Sequence, residues 1–177
     1  MKTIFTTLLM AFTSWVFAAE SISLSGVENC YKISEELYRS AQPEPVGFSA
    51  LQDAGVRSVL NLREYHSDTR EARHTRLVLM AYPVAAGELT AADVENCLVL
   101  IARAPKPVLV HCWHGSDRTG TVVAAYRIVF QNWSVEKAVE EFRDERFGYH
   151  EFWYGNLLKL LHETDWAAMR KRLKSQL

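Results

Sequence analysis

Val108-Leu109-Val110-His111-Cys112-Trp113-His114-Gly115-Ser116-Asp117-Arg118-Thr119-Gly120 is the stretch on which the fold of this 177-residue chain turns. Its first three residues are apolar without alternation, the pattern of a short strand buried on both faces of a parallel sheet. Pro105 and Pro107 end any helix before it. The strand stops at His111-Cys112, and a turn-like segment through Gly120 leads into a helical pattern over residues 121–131, with Val122, Val123, Tyr126 and Phe130 on its inward stripe. Strand, loop and helix in that order put the loop at the carboxyl end of a strand, where α/β sheets bind ligands. A loop entering a helix N-terminus points consecutive backbone N–H groups inward and gains the positive end of the helix dipole, so the segment reads as an anion cradle.

The side chains agree with that reading. Helix-end potential and a nearby guanidinium favour thiolate over thiol at Cys112, the candidate nucleophile. Arg118, six residues on, can aim its planar fork at two oxygens of a phosphoryl group above the sulfur, which lysine cannot do. Residues Trp113, His114, Gly115, Ser116, Asp117 and Arg118 would bind the phosphate; Gly115 lets the backbone pass close to it, and Trp113 and His114 form the pocket wall. The Thr119 hydroxyl is expected to donate to the thiolate, and His111 to fix the loop from behind. His111, Cys112 and His114 do not amount to a structural metal site, which needs four ligands in spaced pairs, so neither metal nor cofactor is expected.

Outward from this stretch the chain alternates strands and helices. Residues 45–54 form a short helical pattern ended by Gly55, and 56–62 a strand. A polar segment, 63–76, precedes a second apolar run, 77–84, which fits a buried strand. Thr90 can cap a helix over 91–104 with Val94, Cys97, Leu98 and Ile101 on one face. Ser134 can cap another, with Val135, Ala138, Val139 and Phe142 inward, and Gly148 interrupts before a last helix over 155–169. The fold class is therefore α/β, with a short, mostly parallel central sheet flanked by helices. The aromatic residues Phe147, Tyr149, Phe152, Trp153 and Tyr154 could form a substrate rim, but by default are read as core and helix packing and stay outside the candidate site.

Composition is that of one globular domain, with 49% hydrophobic and 23% charged residues. Lys2 followed by an apolar run to Phe17, with Val16 and Ala18 before a cleavage point, reads as a secretory signal peptide over residues 1–18, leaving a single domain over 19–177. The run is too short to span a bilayer, and no stable membrane anchor is expected. Without Lys2 the remaining 19 Lys and Arg face 21 Asp and Glu, so the basic footprint of a nucleic-acid binder is missing. Cys30, Cys97 and Cys112 are an odd count, which leaves at least one thiol free in an exported monomer; Cys30 and Cys97 could pair, or Cys97 could be a small buried hydrophobe.

Cys112 to Arg118 resembles the C-x5-R signature of protein tyrosine phosphatases, and its His-Cys opening and Arg-Thr-Gly ending are common among dual-specificity members. Tyr38-Arg39-Ser40-Ala41-Gln42-Pro43, Val59-Leu60-Asn61-Leu62-Arg63 and the stretch 107–120 resemble successive landmarks of small secreted bacterial dual-specificity phosphatases, over roughly residues 37–155. The resemblance implies a dual-specificity-phosphatase-like domain that hydrolyses phosphotyrosine, and also phosphoserine or phosphothreonine, in proteins through a phosphocysteine. A phosphoinositide or other small phosphate is the alternative substrate, and a non-catalytic phosphate-binding module a remote one, disfavoured because Cys112 is retained. Arg39 and Arg63 match landmarks and are read as braces. One departure is plain: the family's acidic residue roughly thirty positions before the cysteine is missing, since residues 78–86 hold neither Asp nor Glu. By resemblance to relatives with an aspartate just before the loop arginine, Asp117 is the preferred general acid, with Glu88 and Asp93 as alternatives.

The apolar leader generates a first prediction. The protein purified from its native host should start near Ala19 by intact-mass spectrometry; a soluble product retaining Met1 would overturn export.

Overall fold

A computed structural model describes residues 18–177, so the leader lies outside the described residues apart from Ala18. In chain order the elements are β1 (Glu20–Ser21), β2 (Tyr31–Lys32), β3 (Leu37–Ser40), α1 (Pro45–Asp53), β4 (Ser58–Asn61), β5 (Val78–Ala81), α2 (Ala91–Arg103), β6 (Val108–His111), α3 (Asp117–Phe130), α4 (Val135–Phe142), α5 (Glu151–Glu163) and α6 (Trp166–Gln176). The strands form one sheet in the order β1-β2-β3-β6-β4-β5. The last four run parallel, with Leu109 opposite both Tyr38 and Val59, while β1 and β2 extend the sheet antiparallel. The α/β class and the mostly parallel sheet are as expected.

The central strand β6 shows why its residues are uniformly apolar. Val108 and Val110 join Leu37 and Leu60 in a core covered by α2 to α6, whereas Leu109 joins Val59 with Phe48 and Leu51 of α1 on the opposite face. Both faces exclude water, so nothing selects for alternation. The connections flank the sheet on opposite sides, α1 linking β3 to β4 across one face and α2 linking β5 to β6 across the other, and the crevice between them opens at the strands' carboxyl ends.

Local signals hold where they were strong. The Thr90 hydroxyl accepts from the Asp93 N–H while Asp93 accepts from the Thr90 N–H, a complete capping box, and Val94, Cys97, Leu98 and Ile101 are the buried stripe. Ser134 caps α4, which buries Ala138, Val139 and Phe142. Elsewhere the structure corrects the reading. The run 77–84 is not a buried strand: β5 is the sheet edge, with Val78 44% and Leu79 37% exposed, and an apolar run of that length looks alike in either place. Helix α3 starts at Asp117, so Arg118 stands on its first turn. The last helix divides, because Asp165 accepts from the Ala168 N–H at 2.9 Å and starts α6. Tyr154 leaves helical geometry inside α5, at φ −127°, ψ 40°. Cys30 and Cys97 lie in cores on opposite faces of the sheet and are both free, so no bridge joins them; burial pushes their thiols up to about 11 and about 12.

Arg127 of α3 is buried to 1% exposure and ties three elements together. It donates to both Glu141 oxygens at 2.9 and 2.8 Å, to the Ile33 carbonyl at 3.1 Å and to Gln131, and lies over the Trp133 ring at 4.2 Å. Removing one partner strands the other in a dry site. Arg127→Met should therefore cost about 3–5 kcal/mol in urea unfolding, and Arg127→Met/Glu141→Leu should recover much of it; a single-variant loss below about 1 kcal/mol would refute that assignment.

Candidate active site

The three landmark stretches are the carboxyl ends of β3, β4 and β6, side by side in the sheet. Cys112, 2% exposed, directly follows β6. The four carbonyls that follow are each faced or held by a donor: His111 Nδ1 faces the Cys112 oxygen at 3.2 Å, the Gln42 N–H donates to Trp113 at 3.0 Å, Asn29 Nδ2 to His114 at 2.8 Å, and Arg39 Nη2 to Gly115 at 2.6 Å. A trans peptide is planar, so a carbonyl fixed to one side sends the next N–H to the other. Accordingly the amides of Trp113 through Thr119 donate to no protein acceptor among the described residues. They are left for an anion above Cys112.

Arg39 and Gly115 act together behind this loop. Gly115 has φ +74°, and a Cβ there would fall 2.5 Å from the Ser40 carbonyl group. Its glycine is thus required by contact with β3, a correction to the expectation that the ligand demands it. The fully buried Arg39 guanidinium stacks 4.1 Å from the Phe147 ring centroid, and burial pulls it down to about 10 although Glu141 and Cys112 favour its charge. It remains cationic at neutral pH, beneath the cysteine.

His111, expected behind the loop, is fully buried and has partners the sequence did not reveal. Its Nε2 meets Asp68 Oδ2 at 2.9 Å. Gln42 donates to Asp68 Oδ1 at 2.9 Å, Arg63 donates to Gln42 Oε1 at 2.9 Å, and the Arg63 guanidinium lies 4.1 Å from the Trp113 ring centroid. Burial would push the Asp68 carboxyl up, but the hydrogen bond and attraction of His111, aided by Gln42, hold it below the ordinary carboxylate value.

Cys112, Trp113, His114, Asp117 and Arg118 line one cleft of about 560 Å³. Arg118 Nη1 donates to the carbonyls of Leu62 at 3.3 Å and Val84 at 3.1 Å, beyond the ends of β4 and β5. Asp117 is the first residue of α3, and its carboxylate accepts from the His150 N–H at 2.9 Å and faces His150 Nδ1 at 3.0 Å. Glu88 is exposed at the end of a short 3-10 turn, Ala86–Glu88, of which only Ala86 reaches the cleft. Asp93 caps α2 and accepts from the Tyr82 hydroxyl at 2.8 Å, away from the cleft. Ser116 is buried in the loop. The expected bond from Thr119 to the thiolate is not formed: its buried hydroxyl has no partner among the described residues.

Residues after Gly148 were missed. His150, Trp153 and Tyr154 line the cleft, and Trp153 is 74% exposed, so this part of the aromatic run is a rim and not core packing. Phe147 is buried, and Tyr149 packs 4.1 Å from Phe142, as expected of core residues. Spacing carries no signal for the rim, because exposed and packed aromatics stand side by side in this run and α5 departs from helical geometry at Tyr154.

Asp68 yields a prediction with a definite sign. A carboxyl whose folded affinity for a proton is lowered stabilises the fold fully above the unfolded value, about 3.9, and loses that contribution as pH falls through the folded value. Asp68→Asn should therefore lower stability at neutral pH by roughly 1–3 kcal/mol and flatten the acid limb of the stability curve below about pH 4. Chemical denaturation at stepped pH measures both; an unchanged acid limb would remove Asp68 from this role.

The pattern that defines the Tyrosine phosphatase family matches residues 26–151. Dual specificity protein phosphatase TpbA of Pseudomonas aeruginosa is 34% identical over 122 residues, covering 68% of this chain and 56% of that protein, so the match spans little more than half of that curated relative. Inositol diphosphatase DSP3 of Arabidopsis thaliana is 28% identical over 131 residues, covering 68% of this chain and 63% of that protein. Among solved structures, a cysteine-to-serine variant of P. aeruginosa TpbA in complex with pTyr superposes with a TM-score of 0.80 at 29% identity, covering 92% of this chain and 98% of that one. With the family pattern running from ahead of β2 into the start of α5 and taking in the loop whose amides converge above Cys112, the chain belongs to the tyrosine phosphatase family.

Proposed function

We propose that the protein hydrolyses phosphate monoesters through a phosphocysteine, with phosphotyrosine in proteins as the first substrate and phosphoserine or phosphothreonine as further ones. The observation that carries this reading is the row of unpaired amides from Trp113 to Thr119 around Cys112, with Arg118 in the same cleft. Cys112 Sγ attacks phosphorus, the S–P bond forms as the ester O–P bond breaks, and Asp117 gives its proton to the departing oxygen. Water then attacks phosphorus, Asp117 takes the water's proton, and S–P cleavage restores the thiolate. Amides and Arg118 bear the charge of the transferring group, the main demand of a loose phosphoryl-transfer transition state. No cofactor takes part. The pTyr complex of TpbA supports the aryl substrate, and the inositol diphosphatase relative supports a small phosphate as the second reading.

The site of action we propose is the periplasm or the medium of a bacterium, with the protein a monomer lacking a membrane anchor and belonging to the small secreted subgroup. Supporting this, the carbonyl of Ala19, the first residue after the proposed cleavage point, accepts from Arg146 at 3.2 Å, which ties the new chain start to the fold. Among the described residues no helix is long and apolar enough to cross a membrane.

Cys112→Ser should abolish turnover of an aryl phosphate while keeping phosphate affinity, and a chelator should not reduce wild-type turnover. Asp117→Asn should cut the rate for an alkyl leaving group by on the order of 10²–10⁴-fold and much less for an aryl group that departs unaided. Steady-state kinetics on phosphopeptides and inositol phosphates test these together. If Glu88→Gln shows the leaving-group dependence and Asp117→Asn does not, the acid lies on the upstream turn.

A further inference from the structure

We infer that the cleft wall holds a binding site for a zinc-class divalent ion, formed by His114, Asp117 and His150. One ligand atom from each of the three lies within 4.8 Å of the other two. His150 Nδ1 and Asp117 Oδ2 are already 3.0 Å apart, close to the roughly 3.3 Å that separates two ligand atoms around a tetrahedral ion at bonds of about 2.0 Å. The His114 and His150 rings stand with centroids 5.4 Å apart and planes at 53°, so small side-chain rotations bring a nitrogen of each toward one point beside the carboxylate.

The surroundings prepare the site. Asp117 is 7% exposed, and its Oδ1 is fixed by the His150 backbone N–H at 2.9 Å, which leaves Oδ2 for an ion and restrains the carboxylate as hydrogen-bonded ligands are restrained elsewhere. Both imidazoles reach solvent through the cleft, so an ion has an open path and a fourth position for water. On binding, the ion takes the place of the close contact between His150 Nδ1 and Asp117 Oδ2. Two imidazoles and one carboxylate suit zinc; magnesium and calcium, which want six or more oxygens, are poorly served.

Occupation would silence the enzyme, because the carboxylate that gives its proton to the leaving group becomes a metal ligand. That consequence rests on the function proposed above; the binding does not.

The two are measured apart. Cys112→Ser protein, which lacks the competing thiolate, is titrated with zinc chloride by calorimetry and should bind one equivalent, while magnesium chloride at the same concentration gives no heat. Partners that merely orient a ligand are worth about ten- to a hundredfold in affinity, so adding His114→Gln or His150→Gln to that background should weaken zinc by at least tenfold. Zinc should also raise the melting temperature of Cys112→Ser but not of the double variants, whose metal-free melting curves show that they are folded. Undiminished binding in both double variants, or none in Cys112→Ser, overturns the site. Tight binding to Cys112→Ser with no inhibition of wild-type turnover keeps the site and overturns the acid role of Asp117.

Discussion

The planarity of the peptide bond is the constraint on which this site depends. Four consecutive carbonyls, Cys112 to Gly115, are turned to the outside of the loop by His111, Gln42, Asn29 and Arg39, and the amides between them have only one direction left. Nothing in the loop's own sequence enforces that conformation; it is imposed from β3, from the segment before it and from the strand below. Pressing Gly115 against Ser40 closes the arrangement, since only a residue without a Cβ can come so near at positive φ. The anion cradle is therefore a property of the sheet's carboxyl edge, transmitted to the loop through hydrogen bonds.

Arg39 adds a second effect from the same place. A wholly buried guanidinium is costly to desolvate, and here the cost is offset by the Gly115 carbonyl and the face of Phe147. Its charge stands near enough to Cys112, the candidate nucleophile, for the two to interact. Position in the sheet makes this possible: β3 is paired to β6 in register, Arg39 opposite Val110, which puts the arginine two residues below the level of the cysteine on the neighbouring strand.

How much of this could be read from the sequence follows from where each signal resides. Val108 to Gly120 was legible because strand, loop, nucleophile and helix are contiguous, so local pattern and chemistry coincide. The stripe Val94, Cys97, Leu98, Ile101 was legible for the same reason, reinforced by its cap at Thr90. Asp68, Gln42 and Asn29 were illegible as loop braces because each acts across a fold-dependent gap: Asp68 is 43 residues from His111, and Asn29 is 85 from His114. The edge position of β5 and the strands β1 and β2 escaped because two to four residues cannot display a period. Trp153 was misplaced because an exposed rim and a core stripe draw on the same aromatic residues.

The segment after Gly148 ties the upstream loop to the candidate acid. The loop following β5 presents Ala86 to the cleft, and Asn156 of α5 donates to the carbonyls of Ala86 at 3.0 Å and Gly87 at 3.3 Å. A loop held this way is a wall. The same stretch of chain supplies His150 to Asp117 and Trp153 and Tyr154 to the rim, so one segment fixes the upstream loop, orients the candidate acid and shapes the entrance. With Asp117 and Arg118 both on the first turn of α3, the candidate acid and the candidate phosphate clamp are carried by one helix. Their position rests on the packing of α3 against α4 and α5, to which Arg127 contributes through both oxygens of Glu141.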